Sequence, residues 1–494
     1  MSKEGKIQLI RYAPPPSDLP IYGRIDPQDV CFIGRTNYES EFESKKYIFG
    51  IKRKDRRRHF YIIGKSGVGK SKMLELMIRQ DIAFGHGLCL MDPHGDVIDD
   101  ILDFVPENRI KDVVLIDPSD TDWPVSFNPL QNVAPEMKHQ IAQGLIEVME
   151  KQFGANWTPR LEHVFRFTCL ALLDYPGATM RGMILILTDR NYRQKAVEYI
   201  QDEMVKRFWA IEFADWSEKF DTEAIIPLVN KLGQFLSNPL LRYIFGQQLN
   251  KVDLGNIMNE KKILLINLSK GKLGEENSSF FGSMFITKIY QAGMARASIK
   301  ESERKDFYLY VDEFYNVVTD TFINILTEAR KYGLCLTVAH QYRAQLQPQV
   351  MATFLGNVAS MAIFRLGGDD ATNFEKEMTP IFKAKDMINL GMQEFYIKMT
   401  VDGGVADPFS AETLKILKPT HPSYKDKIIE YNHQTYCMPI EEVKRKIAEE
   451  DVLKSEKNEK IAVKSEFKSG TEPAAENVLE AKSEKSKEEP EPIV

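Results

Sequence analysis

Eight residues, Gly64-Lys65-Ser66-Gly67-Val68-Gly69-Lys70-Ser71, match the pattern G-x-x-x-x-G-K-S/T, and their flanks limit what the chain can build around them. Before them, His59-Phe60-Tyr61-Ile62-Ile63 is short, apolar and rich in β-branched and aromatic residues, which predicts a buried strand. After them, Met73, Leu74, Met77, Ile78 and Ile82 recur at helical spacing. Strand, glycine turn, helix is the context that such a loop requires. Its glycines let the backbone curl so that successive N–H groups point at phosphate oxygens, and the helix N-terminus adds its dipole. The pattern predicts a site for a nucleoside triphosphate, ATP, cradled by residues 64–71. Lys70 would reach the β- and γ-phosphates and the Ser71 hydroxyl would ligate Mg2+.

A chain of 494 residues exceeds one ordinary core and is expected to divide into two or three domains plus tails. With 43% hydrophobic and 28% charged residues it has the balance of a soluble globular protein. The five cysteines, Cys31, Cys89, Cys169, Cys335 and Cys437, are scattered and form no C-x-x-C pair. That speaks against a zinc site or disulfide framework and for a reducing compartment. No stretch approaches 18 consecutive apolar residues, and Met1-Ser2-Lys3-Glu4-Gly5-Lys6 leads into no signal-peptide core. The expectation is a chain with no transmembrane segment of its own. A formal net charge of -6 excludes a uniformly basic nucleic-acid binder. Any such contact must be local, on a loop or in a lined channel.

Residues 1–28, with Pro14-Pro15-Pro16, read as an extended arm. Residues 29–132 hold a small pair of strands around Val30–Gly34 and Tyr47–Ile51, the loop above, and two further buried strands at 87–92 and 112–117. Apolar runs alternating with helices predict an α/β fold, a mostly parallel sheet covered on both faces. Residues 133–255 change character: amphipathic stretches at 138–153, 161–174, 193–201 and 223–235, punctuated by prolines, predict an all-helical insertion. Strands resume over 256–420, at 262–268, 307–311, 334–339, 361–366 and 394–399, with helices at 278–297 and 320–332. Residues 421–450 form a C-terminal extension. Residues 451–494 are rich in Lys, Glu and Ser, with Pro and one aromatic, Phe467, a composition that predicts a disordered charged tail.

A phosphate loop needs a second, acidic strand end, and Phe307-Tyr308-Leu309-Tyr310-Val311-Asp312-Glu313 supplies one. Asp312 would hold magnesium directly or through its water shell, and Glu313 would accept a proton from the attacking water or orient it. Asp-Glu after a strand is common by itself; it gains weight in a chain that already carries the loop. The next strand ends at Gln341, where one amide can bond both phosphate and water. His340 beside it reads as a packed histidine. Transition-state charge calls for one more cation, often from a neighbouring subunit. Arg330 and Arg365 are the candidates, although both also fit solvated helix or strand ends.

The run Lys52-Arg53-Lys54-Asp55-Arg56-Arg57-Arg58 reads first as a solvated turn, second as a contact for a phosphate backbone or an anionic membrane. Lys270 and Lys272 on a glycine-flexible loop after a strand, and Arg343 after the Gln341 strand, are candidate DNA contacts. One histidine and two carboxylates in Asp92-Pro93-His94-Gly95-Asp96 define no metal geometry, so no metal beyond Mg2+ is expected.

Five motifs occur together in order: the phosphate loop, Met91-Asp92-Pro93-His94-Gly95-Asp96, Ser126-Phe127-Asn128-Pro129-Leu130, Tyr310-Val311-Asp312-Glu313-Phe314 and Glu328-Ala329-Arg330-Lys331-Tyr332-Gly333. Over residues 45–415 the chain resembles the HerA/FtsK superfamily, and within it the type IV secretion DNA-binding ATPases, the conjugative coupling proteins. The resemblance implies a RecA-like motor domain carrying an all-helical domain, ring hexamers and ATP-driven DNA translocation. It also implies the roles given to Lys70, Ser71, Asp312, Glu313, Gln341 and Arg330. Membrane-bound coupling proteins begin with transmembrane helices, and no such stretch is present here. The expected location is the cytoplasm or the inner face of the cell membrane. The expected partners are DNA of any sequence, further copies of the chain, and a relaxase or membrane-embedded secretion protein. Two rival functions stay open: a protein-handling secretion or pilus ATPase, and a nucleotide-gated adaptor recruiting a relaxase or secretion partner.

Overall fold

Strands form where four to seven apolar residues run together, and burial on both faces explains why most of them do not alternate with polar ones. The computed structural model describes residues 10–39, 45–131, 134–216 and 221–449. Its strands are β1 (Val30–Thr36), β2 (Ile48–Lys52), β3 (Phe60–Ile63), β4 (Gly87–Asp92), β5 (Val113–Ile116), β6 (Ile263–Asn267), β7 (Phe307–Val311), β8 (Leu334–His340), β9 (Ser360–Ile363), β10 (Glu394–Lys398), β11 (Thr400–Val401), β12 (Gly404–Val405) and β13 (Phe409–Glu412). Eleven of them make one sheet in the order β2-β1-β13-β10-β9-β3-β8-β7-β4-β6-β5, and β11 and β12 form a hairpin. From β9 to β5 every pairing is parallel. From β2 to β9 every pairing is antiparallel. The small strand pair expected before the phosphate loop is β1 and β2. Through β13 and β10 it extends the same mostly parallel, RecA-type sheet.

Alternate residues of the central strands enter two cores. Phe60 and Ile62 face the helices Lys70–Ala83 and Asp96–Phe104 with Met73, Met77, Ile98 and Ile101. Tyr61 and Ile63 face the other way, into one continuous core with Ile141, Leu145, Phe165, Phe281 and Phe285. Each such aliphatic side chain buried from water contributes about 1.5–3 kcal/mol, so both faces hold the sheet.

Between β5 and β6 every described element is helical, the longest being Lys138–Phe153, Pro159–Asp174 and Ile226–Ser237. Local chemistry sets their starts: Thr158 accepts the Leu161 N–H at 3.3 Å ahead of Pro159, and Asp189 caps Asn191 and Tyr192. The charged tail expected at 451–494 lies outside the described residues. Among the described residues no helix is long and apolar enough to cross a membrane.

The basic run is where the structure departs most from expectation. Lys52 and Lys54 pair with Asp402 at the surface, and half-exposed Arg57 pairs with Asp306. Arg53 and Arg56 turn inward instead. Both bond Asp81, which is 0% exposed on the phosphate-loop helix, Arg53 at 2.6 Å and Arg56 at 2.9 Å. Tyr310 of β7 donates to the same carboxylate and accepts from Arg56, whose guanidinium lies 3.8 Å from the centroid of the Tyr308 ring. A charge run reads as solvated because burying a charge is costly unless it is paired, and here the pairing carboxylate lies on another element.

Two buried histidines carry a pH dependence. His59 accepts the Leu336 N–H at Nδ1, and its Nε2 faces the Leu326 carbonyl. His340 lies against the Tyr61 hydroxyl. Burial pushes His59 down to about 4 and His340 down to about 3. Both stay neutral in the fold, whereas an unfolded histidine takes a proton near 6.5. Their stabilising contribution is thus complete above about pH 6.5 and is lost as pH falls towards the folded values. Thermal midpoints measured from pH 6.5 to 4.5, below the range in which buried lysines titrate, should fall; a flat profile down to 4.5 would contradict this.

Candidate active site

Parallel register gathers the predicted residues. Ile63 pairs with His340 and Val311 with Val338, so the ends of β3, β7 and β8 lie side by side. The phosphate loop leaves β3, Asp312-Glu313 leaves β7 and Gln341 leaves β8, all along the carboxyl edge where α/β sheets bind ligands. Ser66, Gly67, residues 69–72, Asp312, Glu313 and Gln341 share one cleft of about 910 Å3.

The loop is built for close approach. Gly67 and Gly69 hold φ of 75° and 120°, values that favour glycine. Lys70 is buried at the start of its helix and donates to the carbonyls of Gly64 (2.7 Å) and Lys65 (3.0 Å). Burial lowers its ammonium pKa, while Glu313 and Asp312 pull it back up. The Ser71 hydroxyl donates to Asp312 Oδ2 at 2.7 Å. Burial pushes the Asp312 carboxyl up to about 6; Glu313 and Asp92 add to the rise and the Ser71 bond opposes it. A hydroxyl and a carboxylate in contact are hard oxygen donors of the kind Mg2+ takes, and a cation there would reverse the rise.

Glu313 sits at φ 46° and ψ 47°, a left-handed conformation unusual for a glutamate. Its Oε1 accepts from Gln341 Nε2 at 2.8 Å. Its Oε2 is buried without a hydrogen-bond partner among the described residues, an acceptor left for a ligand that donates a proton.

The arginines divide. The Arg365 carbonyl accepts the Lys65 N–H at 3.0 Å, beside the loop of its own chain. Arg330 is exposed before β8, at the amino edge of the parallel strands. Seven residues of β8 at about 3.3 Å each, roughly 20 Å, separate it from the cleft of its own chain. Lys270, paired with Glu275, and exposed Lys272 form a short turn after β6. Arg343 follows β8 and bonds Asn373. All three lie on the carboxyl edge. His340 is packed in the core, as read from the sequence, and among the described residues no group of three or more His, Cys, Asp or Glu is arranged to hold a metal ion.

One wall of the cleft had no sequence signal. The Gln393 N–H donates to the Val68 carbonyl at 3.1 Å, and its carbonyl accepts the Thr413 N–H at 2.8 Å. Residues 413–419 then pass over the cleft, held where Arg79 donates to the Leu417 carbonyl at 3.0 Å. These partners lie 338 residues apart, beyond the reach of spacing or periodicity.

The family model of the type IV secretion-system coupling protein DNA-binding domain matches residues 48–378. The chain belongs to this family. Solved structures of coupling proteins share its fold. The bacterial conjugative coupling protein TrwBdeltaN70 aligns with a TM-score of 0.57 at 15% identity, over 76% of this chain and 89% of that one. Plasmid coupling protein TrwB in complex with ADP and Mg2+ aligns at 0.55 and 14%, over 76% and 90%. VirB4 of Thermoanaerobacter pseudethanolicus aligns at 0.50 and 14%, over 72% and 89%. No curated protein matches the chain. Membership in the coupling-protein family bears out the HerA/FtsK resemblance that the five motifs carried.

Proposed function

We propose that this coupling-family chain is an Mg-ATP-dependent motor ATPase that translocates DNA as a ring hexamer in conjugative or type IV secretion-like transfer. The observation that carries the reading is one cleft holding the phosphate loop, the Ser71–Asp312 pair, and Glu313 with one carboxylate oxygen bonded to Gln341 and the other unpartnered among the described residues. ATP and Mg2+ are the ligands that fit it, and a TrwB structure holds ADP and Mg2+.

Residues 64–70 would bind the phosphates, and Ser71 and Asp312 would hold the metal. Bound Mg2+ supplies charge neutralisation at the transferring phosphoryl group. Glu313 would take the proton of the attacking water at Oε2, and Gln341 would keep that carboxylate aimed while sensing the γ-phosphate. Arg365 would act within its own chain. Arg330, on the opposite edge, would serve a neighbour's cleft. Lys270, Lys272 and Arg343 would meet DNA phosphates, with the block 133–255 riding as a domain on the sheet. The ring would work in the cytoplasm or at the inner membrane face, with a relaxase or secretion protein as partner.

Phosphate contacts read no sequence and weaken with salt. ATP hydrolysis measured with and without DNA should therefore rise with DNA of any sequence at low salt, and lose that stimulation at high salt. Light scattering on the same samples should report a hexamer. Slow turnover indifferent to DNA would overturn the motor reading in favour of an adaptor.

A further inference from the structure

The left-handed backbone of Glu313 persists only where its surroundings enforce it. The enforcing contacts come from the helical block and from the helix Glu275–Ala295 after β6. Glu313 opens the turn Phe314–Asn316, and both the N–H and Nδ2 of Asn316 donate to the Glu313 carbonyl at 3.1 Å. The Asn316 carbonyl in turn accepts from the Ser279 hydroxyl at 2.7 Å and from the Lys151 ammonium. Lys151 also donates to Ser283 Oγ at 3.2 Å, and that hydroxyl reaches the Val317 carbonyl.

Lys151 belongs to Lys138–Phe153, the first long helix of the block. One turn earlier on the same face, Glu147 accepts the Thr321 N–H at 2.8 Å and the Thr321 hydroxyl. A single helix thus grips both ends of the loop that starts at Glu313. Among the described residues the acceptors of the Lys151 ammonium are a hydroxyl and a carbonyl, with no carboxylate. Burial pushes this ammonium down to about 7.

We propose that Lys151 is a positioning residue for hydrolysis, fixing the Asn316 turn from the helical block and so aiming the Glu313 carboxylate into the cleft. The inference rests on Glu313 being the base. Its consequence is that any tilt of the helix Lys138–Phe153 is felt at the proton acceptor, which makes the helical block a control on turnover.

Lys151→Met keeps the length of the side chain and removes its charge and donors. In the full chain with Mg2+ and ATP, kcat should fall about 10²-fold, the scale of a small misplacement of a catalytic group. KM and the thermal midpoint should stay close to those of the parent chain, the sign of a contact that matters in the transition state. In a Glu313→Gln background, single-turnover rates should show no further loss from Lys151→Met, because the group it aims is gone. An equal loss in both backgrounds, or unchanged kcat in Lys151→Met, overturns the inference. If Lys151→Met fails to fold, Ser279→Ala decides: it removes the other donor to the Asn316 carbonyl, and unchanged kcat there is fatal. Normal turnover in Glu313→Gln removes the base assignment and this inference together; loss there beside an unaffected Lys151→Met removes this inference alone.

Discussion

Glu313→Gln is expected to cut ATP turnover by about 10²–10⁴-fold, the range for removal of a general base, while nucleotide affinity stays near that of the parent chain. The two effects separate because Glu313 does not belong to the phosphate cradle. The loop of residues 64–71, Lys70 and Ser71 would bind; Glu313 stands across from them with Oε1 on Gln341 and Oε2 without a partner among the described residues. A glutamine keeps the shape and a bond to Gln341 but takes no proton from water. Phosphate release would give kcat, and displacement of a fluorescent nucleotide the affinity. Turnover within a few-fold of the parent would show that another group accepts the proton.

Asp81→Asn is expected to lower the stability of the fold by about 3–5 kcal/mol, the scale for breaking a buried ion pair from one side. Burial alone would push the Asp81 carboxyl up, but the Arg56 and Arg53 guanidiniums outweigh it and hold the group below the ordinary range. Without that charge, Arg56 is left fully enclosed and uncompensated against Tyr308 and Tyr310. A domain stable by about 5–15 kcal/mol loses a large share of its margin this way. Urea denaturation of both chains checks it: the midpoint should drop sharply with the slope unchanged. A midpoint near the parent value would mean that the network holds nothing up. Arg57→Ala at the surface is a control, because half-exposed pairs such as Arg57–Asp306 are worth about 0–1 kcal/mol.

These two residues also mark what a sequence discloses. Glu313 was legible because its chemistry is local: an apolar strand, then Asp-Glu, in a chain with a phosphate loop. The parallel strands were legible for the same reason, since Phe60–Ile63 and Phe307–Val311 are apolar on both faces and cannot be surface segments. Asp81 was not. It lies within the phosphate-loop helix, and only the packing of the linker after β2 against β7 brings Arg53, Arg56 and Tyr310 to it. Gln393 was hidden likewise, because its contact with Val68 depends on β10 and β13 joining the sheet antiparallel. Nor does any residue pattern announce that a helix of the 133–255 block would hold the Asn316 turn. Local chemistry was readable; partners chosen by topology were not.

The antiparallel half of the sheet has a consequence for how the chain comes into being. Arg35 of β1 meets Glu412 of β13 across 377 residues of sequence. On a ribosome adding about 5–20 residues per second, β1 leaves the exit tunnel roughly 20–75 s before its neighbour exists. For that interval β1 has only β2 beside it, and its other edge is open to any strand nearby. The phosphate loop is complete in sequence from residue 71, yet its Gln393 contact arrives only with the last strands. The nucleotide cleft is finished only once residues 393–419 have been made, long after the motif that announces it.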